Sequence, residues 1–171
     1  MLLKEKVLEI ESSEKFRTWK QENSESYLAH VFMMVDETSP KMWQAGYYNP
    51  NSDKMVTFTL DDKGLDMMPE EEIFKQPGRV VRELDLSDVE CSLEESDAIS
   101  AKLQEEKYPK HKAVKKIMIL QKLDDEKTIW NVTFFTGTTT TLNIKIDAKS
   151  KEIVSENLID LIDKKTMDSL N

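Results

Sequence analysis

The chain has 171 residues, of which 39% are hydrophobic and 33% charged, and this size suits one medium domain or two small ones that share a core. Its 24 basic and 33 acidic residues give a net charge of -9, which opposes binding to nucleic-acid phosphate or anionic lipid. Mean hydropathy is -0.56, no window approaches the ~20 apolar residues of a membrane helix, and the start lacks the apolar run of a secretory signal. We therefore expect a soluble, cytoplasmic protein that binds no nucleic acid and does not insert into a membrane.

The N-terminal segment, residues 2–22, is rich in helix-forming residues whose apolar side chains do not form one stripe. Leu3 and Ile10 share one helical face, whereas Trp19 falls on another. A reorientation near Ser13, which is a favoured residue type for capping a new helix, explains the change of face. The segment is predicted to form two helical pieces or one kinked helix.

A three-stranded meander is predicted next, because apolar alternation is separated by short polar turns. Connections of a few residues make the strands antiparallel neighbours. The strands are Tyr27–Val35, a second with Trp43, Ala45 and Tyr47, and a third with Val56, Phe58 and Leu60.

The polar segment from Asp61 to Gly78 then connects the two halves of the chain. Proline suits a first helical position, so a short helix is predicted from Pro69 to Phe74. Residues Val80 to Leu86 fit either a short strand or an extended linker.

The second half repeats this order of elements. Ser92 and Glu95 form a capping box that predicts a helix from Leu93 to Lys107. Strands are then predicted at Val114–Leu123, Ile129–Phe135 and Leu142–Ile146, and the apolar pattern from Ser155 to Leu170 predicts a C-terminal helix.

The two meanders match in spacing, which predicts an internal repeat. Trp43-x-Ala45-x-Tyr47-Tyr48 corresponds to Trp130-x-Val132-x-Phe134-Phe135, and Val56-x-Phe58-x-Leu60-Asp61 corresponds to Leu142-x-Ile144-x-Ile146-Asp147. The predicted fold is α+β, with two α-β-β-β repeats whose helices pack on antiparallel sheets. The first unit spans 1–78 and the second spans 79–171, and we expect the two to share a core because each is small.

The second unit resembles the PepSY-like domain, and the first resembles it more loosely. The resemblance is carried by the helix start Ser92–Ile99, by the Trp130-x-Val132-x-Phe134 strand and by the segment Ile144–Ile153. Ser150-Lys151 stands where that family usually has a glycine turn. The resemblance implies a cystatin-like arrangement, in two tandem copies, and a non-enzymatic domain of a kind proposed to bind or restrain peptidases.

Few residues offer catalytic or metal chemistry. Cys91 precedes a capped helix, but a nucleophile also needs a base, and neither His30 nor His111 has a sequence reason to meet it. We interpret Cys91 as inert and partly buried, and we expect neither a metal nor a cofactor. Counted from Asp61, the acidic turn ending at Asp66 has its glycine and oxygen ligands at the wrong positions for a calcium loop.

Two further motifs are interpreted as unremarkable surface features. The basic cluster at Lys107, Lys110, Lys112, Lys115 and Lys116 fits a solvated loop and strand end. The Asn131-Val132-Thr133 sequon has meaning only in an exported protein.

Tyr48 and Phe135 are the candidate binding residues, because each must point away from the face that a helix covers. On neighbouring sheets they would either pack the two units together or present a binding surface. The leading hypothesis is a non-catalytic binding or regulatory module with a protein or peptide partner. The alternatives are a cystatin-like pocket that binds a small ligand or acts as an enzyme through Asp61 or Asp147, and a homo-oligomer.

Overall fold

The computed structural model describes residues 2–35, 42–73, 75, 77–123 and 125–161, which form three α-helices, one 3-10 helix (Leu86–Asp88) and nine strands. In chain order these are α1 (Leu2–Ser12), α2 (Glu14–Glu22), β1 (Tyr27–Val35), β2 (Met42–Asn49), β3 (Lys54–Asp61), β4 (Gly64–Met67), β5 (Glu71–Glu72), α3 (Leu93–Lys107), β6 (Ala113–Lys122), β7 (Thr128–Thr136), β8 (Thr140–Asp147) and β9 (Ile153–Asp160).

The helix starts are set by the serines that the sequence singles out. The Ser13 hydroxyl accepts a hydrogen bond from the Phe16 amide (3.1 Å) and thereby starts α2 in a new direction. At α3, Ser92 and Glu95 form both hydrogen bonds of the capping box. The predicted bounds of α3 are confirmed at both ends.

All strands belong to one antiparallel sheet of order β4-β3-β2-β1-β6-β7-β8-β9, and β5 pairs with β3. The two meanders meet at β1 and β6, which pair from His30 opposite Gln121 to Val35 opposite Lys116. The sheet is therefore continuous, so Tyr48 and Phe135 do not lie on neighbouring sheets.

The helices cover one face of this sheet, and the side chains beneath them form one core that spans both meanders. Trp43 and Trp130 are both buried in it, and so are Leu3 of α1 and Leu103 of α3. This shared core agrees with the expectation that neither half buries enough surface alone. We call the opposite side of the sheet the open face.

The connection between the two meanders passes from the open face around one end of the sheet. On the open face, the Tyr27 hydroxyl donates to the Val81 carbonyl (2.9 Å). Beyond the end of the sheet, the Leu84 amide donates to the Leu28 carbonyl (2.7 Å), and the Leu84 side chain is buried in the core. The connection thus contacts both faces before α3 begins.

The start of α3 is held to the second meander by hydrogen bonds at Cys91. The Cys91 amide donates to the Ala148 carbonyl (2.8 Å), and its carbonyl accepts from the indole nitrogen of Trp130 (2.9 Å). The Cys91 side chain is also fully buried. These contacts fix the position at which the connection enters the helix layer.

Two predicted helices are strands where the structure describes them. The segment Pro69–Phe74 contains β5 rather than a helix, because Glu71 and Glu72 pair with the edge of β3. The predicted helix from Ser155 overlaps β9, which pairs with β8 over residues 153–160. The remainder of that helix, residues 162–171, lies outside the described residues. In both places a free sheet edge offers backbone hydrogen bonds that outweigh local helix preference.

The helices of the described ranges are short. The longest, α3, has 15 residues, and none in this part of the chain is long and apolar enough to cross a membrane.

Replacement of Trp130 by phenylalanine tests the attachment of α3. The change keeps an aromatic ring in the core but leaves the buried Cys91 carbonyl without its donor, so we expect the free energy of unfolding to fall by about 1–3 kcal/mol. Urea denaturation followed by circular dichroism measures the loss. An unchanged midpoint would contradict the anchoring role of this hydrogen bond.

Candidate functional site

The open face carries a patch of half-buried, uncharged side chains that is bordered by Lys115 of β6 and Lys145 of β8. It spans the six central strands, β3, β2, β1, β6, β7 and β8. We define this neutral patch as Phe32, Met34, Gln44, Thr57, Thr59, Ile117, Ile119, Asn131, Thr133, Phe135, Thr141 and Asn143.

Rows of residues across the paired strands build this patch. In one row Thr59, Gln44, Phe32, Ile119 and Asn131 lie side by side, because each is the registered partner of the next, and Lys145 of β8 ends the row beside Asn131. The centre of the row is apolar and its flanks are polar. Six strands spaced ~4.8 Å apart make the patch roughly 24 Å wide, which is in the size range of functional surface patches.

The polar flank beyond β6 is ordered by its own hydrogen bonds. The Asn143 amide nitrogen donates to Asn131 Oδ1 (2.6 Å) and to Thr133 Oγ1 (2.9 Å). These side chains are therefore held in position before any partner arrives. A preorganised surface loses less side-chain entropy when it binds.

The two predicted binding residues both point to the open face but lie far apart. Tyr48 pairs with Tyr27 at the start of β1, whereas Phe135 pairs with Lys115, one residue past the pair that ends β1. The separation along the strands is about 30 Å at ~3.4 Å per residue. Phe135 belongs to the neutral patch, and Tyr48 does not.

Tyr48 is covered by the connection between the two meanders. Its side chain is only 7% exposed. The Lys75 ammonium lies 5.6 Å from the centre of its ring, and the hydroxyl donates to Asp53 (2.6 Å). Tyr48 therefore holds the connection in place and is not accessible to a partner.

A second feature of the open face is a cavity of about 450 Å³ beneath this connection. We call it the basic pocket. Its lining is Ala29, His30, Met55, Ile73, Lys75, Arg79, Val80, Val81, Arg82, Gln121, Lys122 and Leu123. Among the described residues this lining includes no carboxylate, although the chain has a net charge of -9.

His30 lies in this pocket directly against the backbone of β2. It pairs with Gly46, and a Cβ atom at position 46 would lie 2.1 Å from His30 Cε1. Glycine is therefore required at position 46 because the imidazole occupies the space that a side chain would need. Burial lowers the pKa of His30 below its ordinary value, so the ring is neutral at neutral pH.

A larger cavity of about 750 Å³ lies on the helix side, between α1, α2 and residues 83–86. In it the Tyr47 hydroxyl donates to Glu11 Oε1 (2.9 Å), and burial together with this carboxylate raises the pKa of Tyr47. The buried Ser26 hydroxyl has no hydrogen-bond partner among the described residues. The lining carries both acidic and basic side chains and therefore selects no single sign of charge.

The surroundings of Cys91 are those of a buried, unreactive cysteine. Its side chain is fully buried, and desolvation raises the pKa of the thiol to about 11. His30 points to the open face, whereas the His111 ring contacts Thr138 and Thr140 at the opposite end of the second meander. Cys91 is therefore buried on the helix side with neither histidine as a base.

Asp61 and Asp147 both serve as turn residues. Asp61 accepts a hydrogen bond from the Lys63 amide (2.8 Å), and Asp147 accepts from the amides of Lys149 and Ser150. The Ser150 amide is the main cause that lowers the pKa of Asp147. Five strand spacings of ~4.8 Å place the two carboxylates roughly 24 Å apart across the sheet, too far to act as an acid–base pair.

The basic cluster is partly neutralised by local carboxylates. Lys107 pairs with Glu156 (3.0 Å), and Lys116 pairs with Asp97 of α3. The acidic turn at Asp61 connects β3 to β4. Within the described ranges no group of three or more His, Cys, Asp or Glu side chains is placed to hold a metal ion.

Sequence reasoning missed the basic pocket because its residues come from separated segments. His30 is in β1, Lys122 is at the end of β6, and Arg82 is in the connection. The single available signal was the pair Arg79 and Arg82 in an otherwise polar linker. A basic pair in a linker usually indicates only a solvated surface.

The thiol of Cys91 is expected to be unreactive in the folded protein. At roughly pH 8 a buried thiol with a raised pKa is protonated and inaccessible, so a disulfide reagent should label it at least tenfold more slowly in buffer than in denaturing urea. Spectrophotometric thiol titration measures both rates. Equal rates in the two conditions would contradict its burial.

Replacement of Gly46 by alanine is expected to destabilise the protein by about 1–3 kcal/mol, because the added methyl group overlaps the His30 ring. His30→Ala removes that ring, so the double variant should recover most of the loss that Gly46→Ala causes alone. Denaturation of all four proteins gives the coupling free energy. A coupling near zero would contradict the close contact between the imidazole and β2.

Comparisons with known proteins concern the fold. No protein-family model matches the chain, and no curated protein matches it. Among solved structures, it is similar to the crystal structure of a "putative lipoprotein" from Clostridium difficile 630, with a TM-score of 0.55 and 14% identity. The match covers 85% of this chain and 90% of that chain. At this identity the similarity shows a shared α+β fold and no more.

Proposed function

We propose that the chain is a non-catalytic binding module that holds a protein or peptide partner on the neutral patch. The observation that carries the proposal is the charge distribution. Charged side chains border the patch, with Lys115 beside Phe135 and Lys145 beside Asn131, whereas its interior is uncharged. Depletion of charge is the compositional mark of an interface core. Phe32, Met34 and Phe135 add the aromatic and methionine side chains that such cores contain.

The partner is a different protein rather than a second copy of this chain. Each copy carries a net charge of -9, so two copies repel each other as they approach. A partner that presents an uncharged, largely apolar segment matches both the apolar centre of the patch and its ordered amide and hydroxyl flank. Strand-forming segments can pack on an exposed sheet face of this kind.

The internal repeat supports the comparison with PepSY-like domains, and we propose units spanning 1–78 and 79–171. Trp43 and Trp130 are both buried beneath helices, and each lies in the second strand of its meander. Strand order is also symmetric about the β1–β6 pair. The resemblance makes a peptidase the first partner class to test.

The alternative of an enzymatic pocket has weaker support. Asp61 and Asp147 are occupied by backbone amides and lie on distant strands. Neither carboxylate is free to transfer a proton at a shared substrate.

The partner proposal is tested by measuring binding to, and inhibition of, a panel of purified peptidases. The panel includes exported enzymes because the structural neighbour is named a lipoprotein. Ile119→Lys places a charge at the centre of the patch, and we expect it to weaken binding at least tenfold because the ammonium group would be buried without a partner. Biolayer interferometry measures the affinity.

Leu8→Lys is the matched control, because Leu8 is 63% exposed on α1, on the helix side of the sheet. This variant should bind like the unmodified protein. If no peptidase binds, or if both variants lose affinity equally, the proposal is wrong. Self-association that Ile119→Lys abolishes, measured by sedimentation velocity, would identify a second copy as the occupant and contradict a foreign partner.

A further inference from the structure

We propose that the basic pocket binds a small organic anion, a carboxylate or phosphate attached to an apolar body. This site is separate from the neutral patch and does not depend on the proposed partner. It is built from four parts of the chain: residues of β1, Met55 of β3, the end of β6, and the connection that passes over them.

Charge selects the class of ligand. Lys75, Arg82 and Lys122 line the pocket together with Arg79, and none of the described lining residues is acidic. Carboxylates outside the lining lie near several of these cations: Lys75 contacts Asp53, Arg82 lies 3.6 Å from Glu126, and the charge of Lys122 acts on Asp85. The inner surface of the pocket is therefore cationic. The carboxylates outside the lining partly neutralise these charges, which stabilises the cluster in the absence of a ligand.

An unsatisfied donor indicates that the pocket is incomplete without a ligand. The Arg82 Nε atom is buried and has no hydrogen-bond partner among the described residues. A buried guanidinium N–H without an acceptor costs free energy. An oxyanion is the acceptor that guanidinium groups bind best, since its oxygens match the spacing of the nitrogen donors.

His30 supplies a neutral polar contact on the floor of the pocket. Its ring rests on Gly46 and makes no hydrogen bond with the described residues. A neutral imidazole offers one donor and one acceptor. The donor nitrogen adds a hydrogen bond to an oxyanion that the cations have attracted.

The rest of the lining sets the size and polarity of the ligand body. Ala29, Met55, Ile73, Val80 and Val81 are apolar, and the volume of about 450 Å³ is far larger than an inorganic anion needs. An anion with a hydrocarbon chain of moderate length fills both parts of the cavity.

Nuclear magnetic resonance of the two histidines tests the proposal directly. The probes are octanoate, octan-1-ol with the same tail and no charge, and inorganic phosphate with the charge and no tail. We expect octanoate to shift the Cε1–H resonance of His30 saturably while that of His111 stays unchanged. Octan-1-ol should bind at least tenfold more weakly, because it lacks the charge that the pocket recognises.

Variants of the lining residues test whether octanoate binds in the basic pocket. Arg82→Gln and Lys122→Gln should each raise the dissociation constant of octanoate about tenfold, since each removes one charged contact. Lys110→Gln, an exposed residue at the opposite end of the sheet, carries the same charge change and should leave affinity unaltered. Comparing octanoate with phosphate at equal ionic strength shows whether the tail contributes.

Binding should also be stronger at lower pH. A bound anion favours the imidazolium form and raises the pKa of His30 above its lowered value in the free protein, so the affinity of octanoate should rise from about pH 8 to about pH 6. The His30→Gln variant should lose this pH dependence while it keeps the Arg82 contribution.

Three results would overturn the proposal. They are the absence of a saturable shift at His30 with both octanoate and phosphate, equal affinity for octanoate and octan-1-ol, and equal affinity of Arg82→Gln and Lys110→Gln for octanoate. Circular dichroism of each variant verifies that it has folded.

Discussion

The antiparallel pairing of β1 with β6 is the interaction on which the rest of the structure depends. Each is the first strand of its meander, and their registered contacts place Val31 opposite Leu120 and Met33 opposite Met118. All four side chains are buried under the helix layer. Without this pairing the chain would consist of two small sheets, each with an additional exposed edge and half a core.

A continuous sheet with all helices on one side leaves the other side uncovered. One end of this open face is crossed by the connection between the meanders, and the central part beyond it carries the neutral patch, bordered by Lys115 and Lys145. The crossing is held by the contacts of Tyr27 with Val81 and of Tyr48 with Lys75. The basic pocket is the space left between the connection and the sheet, so its position follows from the same topology that exposes the patch.

Sequence reasoning predicted the helix starts and the strands of the two meanders well, because their signals are local. Ser92 and Glu95 gave the start of α3, and alternation around Trp43 and Trp130 gave the second strands of the two meanders. It was wrong for Glu71–Glu72 and for the start of the predicted C-terminal helix. In both segments an available sheet edge decides the structure, and such edges are long-range features that no local window contains.

The candidate sites could be predicted only in part. Alternation alone predicts that Phe135 points away from the helices. The covering of Tyr48 by Lys75 depends on the path of the connection, which alternation does not predict. Likewise, the sequence does not indicate that His30 and Arg82 lie near each other. They meet because His30 pairs with Gly46 in the sheet and residues 79–82 cross the open face above it. Local chemistry by itself thus determined the helices, the meanders and the alternating faces. The tertiary structure decided which face stays open and which charges meet, because those depend on contacts between residues far apart in the chain.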